Sequence, residues 1–336
     1  MTAESSVVHG GPDALGVPAH DFSTNGNACG PCPDVQQALR GVDAAHYPDP
    51  TYAVLRERLG AFHGVAVDRI VMAASASEFI FRITAVVARC GGTVVLPPRA
   101  YGDYERAARA FGMPVQHDDG STVQGIGLHW CCEPSSPLGQ NGLNLRARID
   151  GLPAADVCVI DRAYEPLRLG VPLDLDAARL DRAWQLWTPN KALGLTGIRA
   201  AYAIAPVAAE SWIGAMQLHA PSWPLGAHGV ALLQAWSEPA TQRWLAASLH
   251  TLRGWKSSQI DLCRNMGWPC LPSEGNFFCA VPPVADVDAL CTALRSSHGV
   301  KLRDAASFGL PGHVRLSVLP PASQAALAMA WRAATA

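Results

Sequence analysis

Only three lysines occur among the 26 Lys and Arg residues of this 336-residue chain, at Lys191, Lys256 and Lys301, so chemistry that needs a primary amine has three candidates. Lys191 stands in TPNKALGLTGIR, bracketed by Pro189, Gly194 and Gly197, where turn residues shape the backbone. An amine held and desolvated in such a loop can form a Schiff base. Lys256, in LRGWKSSQ, reads as the charge of a solvent-facing helix, and Lys301, which shares VKLR with Arg303, reads as an edge-strand charge. The apolar run VCVI ends at Asp161. An acid at the mouth of a buried strand must find a cationic partner or stay protonated, and pairing with one of the many arginines is the plainer alternative. In SASEFIF, Ser75 and Glu78 make a capping-box pattern. A helix start of that kind offers N–H groups and a positive dipole end to a phosphate, although most caps only cap.

These residues need elements to bring them together. From about Tyr47 onward the chain alternates helical periods, such as Leu55, Leu59 and Phe62 or Phe79, Ile83, Val86 and Val87, with short apolar runs: IVMAA, TVVLPP, GLHWCC, VCVID, AWQLW and IRAAYAIA. Unbroken apolar runs suggest strands covered on both faces, as in a mostly parallel sheet of an α/β fold. Residues 1–45, rich in Gly, Pro, Asn and Asp, read as an extended arm with little regular structure that adds to the small domain. Residues 46–225 read as the large domain. Residues 226–336, after the Pro-rich APSWPLG, read as a smaller α+β domain with a long helical stretch to about Met266, the strands FFCAV, VKLR and HVRLSV, and a last helix from Ala322. In such a sheet, ligands collect beyond the carboxyl ends of the strands, which is where Asp161 and Lys191 fall.

Composition removes several classes. A net charge of −2 without a basic block argues against a polyanion partner. No apolar stretch approaches the roughly 18 to 20 residues of a membrane span, and the N-terminus lacks a leader pattern, so a cytoplasmic location is expected. Ten cysteines in a chain of this size read as thiols rather than a disulfide frame. Cys29 and Cys32 form a lone CxxC without the second ligand pair of a zinc site, so no metal is expected. Cys131 and Cys132 in GLHWCC read as core filling.

A lysine, a strand-end acid and a phosphate-binding helix start in one α/β sheet are what pyridoxal 5'-phosphate needs: an amine partner, a counter-charge for the ring nitrogen and an anion cradle. The order YPDP, a Ser/Ala-rich helix start, Y-x-x-Y, x-P-x-x-P-x-G, D-x-A-Y and K-A-x-G-L-x-G-x-R resembles the fold-type I pyridoxal-phosphate enzymes, in the branch of histidinol-phosphate aminotransferase. HGG, DFSTNGNACGP and SEGNFF are similar to the threonine-phosphate decarboxylases of the cobalamin pathway within that branch. The resemblance covers nearly the whole chain and implies a mostly parallel seven-stranded sheet in the large domain. It implies that Lys191 is the Schiff-base lysine, Asp161 the ring-nitrogen partner and Tyr164 the donor to the cofactor's phenolate oxygen, with Tyr101 stacked on the ring. Ala76, Ser77, Thr188, Asn190 and Arg199 would hold the phosphate. The chain would be a homodimer in which Tyr47 reaches the neighbouring cofactor site. Arg315 would bind the substrate carboxylate, Arg303 a second anionic group, and Asn27 falls in a substrate-contacting segment.

The departures are specific. EPSSPLG puts Ser136 where the family carries an asparagine that donates to the phenolate oxygen, and DRAY puts Arg162 in place of an acid. Asn190 replaces a serine, and Ser75 replaces the glycine of the phosphate cradle. The resulting expectation is an aminotransferase acting on a small, possibly phosphorylated or otherwise anionic amino acid. The alternatives are a threonine-phosphate decarboxylase-like enzyme and a noncatalytic binding protein on the same fold.

Overall fold

The apolar runs become strands buried on both faces, and their directions determine where the polar residues that end them meet. The computed structural model describes residues 10–118, 123, 125–142 and 144–335, so His9 of the HGG segment lies outside the described residues. The first half runs β1 (His20–Asp21), α1 (Pro33–Arg40), α2 (Ala53–His63), β2 (Ile70–Ala73), α3 (Ala76–Ala88), β3 (Thr93–Leu96), α4 (Gly102–Ala110), β4 (Val115–His117), β5 (Gly127–Cys132), α5 (Leu145–Gly151) and β6 (Val157–Asp161). It continues through α6 (Ala177–Leu180), β7 (Trp184–Trp187), β8 (Ala201–Ile204), α7 (Glu210–Leu218), α8 (Ala227–Trp236) and α9 (Pro239–Asn265). The chain closes with β9 (Phe277–Ala280), α10 (Val287–His298), β10 (Val300–Lys301), β11 (Arg303–Asp304), β12 (Val314–Ser317) and α11 (Pro321–Thr335).

The large sheet has seven strands in the order β2-β8-β7-β6-β5-β3-β4. The pairs from β7 to β4 are parallel, and β8 runs antiparallel to both its neighbours. Two reversals restore direction, so β2 points the same way as β3, β5, β6 and β7. Their carboxyl ends therefore share one edge, and β8 begins at that edge. One face of the sheet is covered by α3, α4 and α7, where Phe79, Ile83, Tyr104 and Met216 pack with Trp130 and Trp184. The other is covered by α1, α2 and α8, where Val35, Leu55, Leu59 and Leu232 pack with Ile70 and Tyr202. A three-stranded sheet β11-β12-β9 forms a second core with α10 and α11 around Phe278, Leu294, Leu316 and Trp331.

Three expectations change. The N-terminal segment carries α1 and pairs β1 in parallel with β10. Its GPCPD start hid a helix because Pro33 occupies the first turn, where a missing N–H costs nothing. VKLR is two short strands, since Val300–Lys301 pairs with β1 while Arg303–Asp304 pairs with β12. Lys256 points inward: its Nζ donates to Ser273 O and Gly275 O, and burial pulls its pKa down to about 8. Helix α9 spans both cores, with Leu245 and Leu252 in one and Cys263 in the other. Strand β4 and helices α5 to α7 had no clear sequence signal. Lys301 Nζ meets Gly11 O at 2.6 Å and the Asp13 carboxylate at 2.9 Å, tying down the arm. Among the described residues no helix is long and apolar enough to cross a membrane.

Behind the carboxyl edge, His63 packs against Trp187 and Tyr202. Trp236 Nε1 donates to Tyr202 Oη at 3.1 Å, which leaves the Tyr202 proton for His63 Nε2 at 2.7 Å. Burial, with the Arg162 charge adding to it, lowers the His63 pKa from 6.5 to about 4. The unfolded chain therefore binds the extra proton between these two values, and folding stability is lost as pH falls from 6.5 towards 4. Urea denaturation across that window should show the wild type losing up to roughly 3 kcal/mol more than His63→Gln. Equal pH dependence of the two proteins would contradict the buried neutral imidazole.

Candidate active site

Strand direction assembles the site. From the shared edge, β2 leads into the cap of α3, β3 into Tyr101, β5 into Ser136, β6 into Tyr164 and β7 into Lys191, while Arg199 enters β8. Ala76, Ser77, Tyr101, Ser136, Asp161, Tyr164, Thr188, Asn190, Lys191 and Arg199 line one cavity of about 1110 Å³, together with Arg303 and Arg315 from the small sheet.

The loop carrying Lys191 is shaped by its neighbours. Asn190 Oδ1 accepts from Lys191 N–H and from Thr188 Oγ1, both at 2.9 Å, and Asn190 Nδ2 donates to Ile198 O at 3.2 Å. Gly194 has φ +67°, and a side chain there would meet Gly30 Cα at 2.9 Å, so the loop needs glycine for conformation and clearance. Lys191 Nζ lies 4.8 Å from the centre of the Tyr164 ring. Asp161 is buried at the end of β6, where Oδ1 accepts from Ala163 N–H at 2.9 Å and Oδ2 from Tyr104 Oη at 2.7 Å. Burial raises its pKa, against the pull of those two donors and the Lys191 charge.

At α3, Ser75 Oγ accepts from Glu78 N–H at 3.1 Å, while the Glu78 carboxylate takes Ala74 N–H at 3.0 Å and pairs with Arg82 at 2.9 Å. The capping box thus closes one residue early. Ser75, Ala76 and Ser77 border the cavity, as do Thr188, Asn190 and Arg199. Buried Asp103 fixes two of the cavity hydroxyls: it accepts from Ser77 Oγ at 2.6 Å and from Tyr101 Oη at 3.0 Å, and Arg106 sits 3.0 Å away.

On the small-sheet side, Arg303 and Arg315 are cross-strand partners in register, each only 6% exposed. Both guanidinium groups lie over Phe308, at 4.9 and 5.4 Å. Arg315 donates to Ser23 O at 2.9 Å and to Ser136 Oγ at 3.4 Å. Arg303 donates to Asp304 O and Ser307 Oγ, and its pKa is lowered to about 10 by burial and by the Arg315 charge.

Two sequence candidates lie elsewhere. Tyr47 is 78% exposed, outside the cavity, and stacks on Trp223 at 4.4 Å. Asn27 is buried behind the lysine loop: its Nδ2 donates to Ala192 O and Ser248 Oγ, and its N–H donates to Lys191 O at 2.8 Å. It braces the loop without lining the cavity. The Arg162 substitution also stays out of the cavity. It points to the opposite side of β6 from Asp161, lies 4.4 Å over Trp187 and donates to Gln185 Oε1 at 2.8 Å. Several bordering residues were not singled out in the sequence, among them Ser23 and Thr24, which lie inside DFSTNGNACGP, Asp103, which lies inside Y-x-x-Y, and Ser307, Phe308 and Cys132, which had no site cue, the last read from GLHWCC as core filling.

The family profile described as aminotransferase class I and II matches residues 157–333, more than half of the chain. The chain belongs to that family, whose cofactor is pyridoxal 5'-phosphate. A histidinol-phosphate aminotransferase from Leuconostoc mesenteroides is 29% identical over 221 residues, which cover 59% of this chain and 61% of that protein. The matched region thus spans about three fifths of that relative's length. The fold matches the histidinol-phosphate aminotransferase of Sinorhizobium meliloti in complex with pyridoxal-5'-phosphate with a TM-score of 0.80, 20% identity and 99% of both chains covered. It also matches the L-threonine-O-3-phosphate decarboxylase of Porphyromonas gingivalis with a TM-score of 0.79, 18% identity, and 94% of this chain and 98% of that one covered.

The donor set fits the cofactor. A buried acid bordering the cavity, held by two donors and in contact with no cation among the described residues, suits a protonated ring nitrogen. Lys191 brings an amine to the same cavity, and the α3 cap with Ser77, Thr188, Asn190 and Arg199 borders it with groups that could hold a phosphate.

Proposed function

We propose that this chain is a pyridoxal-phosphate-dependent aminotransferase acting on a small amino acid that carries a second anionic group. The observation behind this reading is that one cavity joins the Lys191 amine and buried Asp161 to two buried guanidinium groups in register. Like charges directly opposite on a sheet repel. Two of them kept out of water beside an open cavity suit a ligand with two negative groups, and planar donors match carboxylate and phosphate oxygens.

When bound, the cofactor supplies an electron-accepting ring that stabilises negative charge on the substrate α-carbon. Lys191 Nζ would hold the cofactor at rest and, once the substrate amine has displaced it, would take the α-proton and deliver it to the cofactor's C4′. Asp161 would be the counter-charge for the ring nitrogen. Tyr164, whose ring lies against Lys191 Nζ, would donate its hydroxyl to the cofactor's phenolate oxygen. Arg315, steadied by Ser23 O and Ser136 Oγ, receives the α-carboxylate, while Arg303 takes the second anion. Asn27 sets the backbone from which Lys191 projects.

A second reading, a decarboxylase of phosphothreonine-like substrates, is favoured by the DFSTNGN segment: Ser23 and Thr24 border the cavity, and Ser23 O holds Arg315. The two reactions differ in which bond to the α-carbon is presented for cleavage, a matter of substrate pose. We also read the exposed Tyr47, Val54 and Leu218 with Trp223 as part of a homodimer contact that brings Tyr47 to the neighbouring site. A single-chain mass in sedimentation at working concentration would contradict that.

Screening amino acids and their phosphate esters, with cofactor absorbance and carbon dioxide followed together, separates the reactions: amino transfer without gas release is expected. Release of carbon dioxide without need of an oxo-acid acceptor would establish the decarboxylase instead. Arg303→Met should raise KM for a phosphorylated substrate by about 10- to 100-fold and change KM for its unphosphorylated analogue little. Arg315→Met should impair both. Equal impairment of both substrates by Arg303→Met would contradict its assignment to the second anion.

A further inference from the structure

Of the Y-x-x-Y pair, Tyr101 borders the cavity, whereas Tyr104 is wholly buried behind it. Its ring lies flat on Trp130, with centres 4.3 Å apart and planes 9° from parallel, and meets Tyr101 edge-on at 5.7 Å. A phenylalanine would fill that space and keep both contacts. The hydroxyl is what distinguishes tyrosine here, and it donates to Asp161 Oδ2 at 2.7 Å. Most buried hydroxyls have a partner, so an ordinary core tyrosine is the plain reading. The identity of the acceptor sets this one apart, because it is the acid on which the ring nitrogen depends.

We propose that Tyr104 is a positioning residue for cofactor electronics: its hydroxyl orients the Asp161 carboxylate and holds it ionised, so that the cofactor's ring nitrogen stays protonated. This deepens the pyridoxal-phosphate reading of the cavity and rests on it. Burial by itself drives Asp161 towards its neutral form, and a neutral acid cannot act as counter-charge. Against burial stand the Ala163 N–H on one oxygen and the Tyr104 hydroxyl on the other. The titratable groups facing Asp161 are Tyr104 on α4, Cys132 at the end of β5 and Lys191 after β7. Burial, with the Asp161 charge adding to it, pushes the Tyr104 hydroxyl well above its usual range, so the shared proton stays on tyrosine and the charge on Asp161. Tyr101 caps α4 and Tyr104 lies in its first turn, so a single helix start supplies a ring to the cavity and a donor to the acid beneath it.

The test uses protein loaded with pyridoxal phosphate labelled with nitrogen-15 in the ring, whose resonance reports ring protonation directly. Tyr104→Phe keeps the ring stack and should lower the nitrogen's titration midpoint by about one pH unit, a tenfold loss of the protonated form at a given pH. Trp130→Phe, which alters the stack and leaves the hydroxyl, should leave that midpoint in place, as a purely structural role for Tyr104 would not. If Tyr104→Phe does not fold, 3-fluorotyrosine at position 104 changes hydroxyl acidity with almost no change of shape, and it should move the same midpoint. A midpoint equal to wild type in Tyr104→Phe, or in the fluorotyrosine protein, overturns the proposal. A wild-type protein that takes up no pyridoxal phosphate overturns the reading beneath it, and that outcome is visible before any variant is made.

Discussion

A carboxylate kept charged without water is the constraint on which the rest of this molecule depends. Asp161 ends a strand buried along its whole length, and moving an isolated carboxylate into such surroundings costs far more than a fold can spare. The protein offsets this with a backbone N–H two residues on and a hydroxyl from a helix on the sheet's face. Neither donor is itself a full charge. The Lys191 charge acts on the carboxylate across the cavity, and Asp161 borders that cavity.

Strand direction converts that local arrangement into a site. Because β8 is antiparallel to both neighbours, the ends of β2, β3, β5, β6 and β7 fall on one edge, and each contributes a group to the cavity. The small sheet closes it from the other side with Arg303 and Arg315. The N-terminal segment joins both halves. Phe22 packs in the small core, Ser23 O steadies Arg315, and Asn27 grips the lysine loop and α9. Two buried guanidinium groups lie over Phe308 on neighbouring strands, so the charge that the small sheet presents to the cavity is set by its own register and packing.

Lys191 and Asp161 were legible in the sequence because both depend on local order: an apolar strand, then a polar residue, then turn glycines. The α3 cap and the α/β alternation were legible for the same reason. Tyr104 and Asn27 were not, since their roles rest on contacts 57 and 221 residues away that no period encodes. Lys256 looked like a surface charge because the carbonyls that receive it belong to a turn near Gly275. Helix α1 was masked by prolines whose placement in its first turn is compatible with a helix. Ser136 and Arg162 read alike as departures, yet the pleat of β6 sends Arg162 behind the sheet while Ser136 reaches Arg315 in the cavity.

The central claim is that one lysine of three carries the cofactor. Loading the protein with pyridoxal phosphate, reducing it with borohydride and mapping the peptides by mass spectrometry tests that claim most directly. The account predicts a pyridoxyl label on Lys191 alone. A label on Lys256 or Lys301, or none on Lys191, would contradict it.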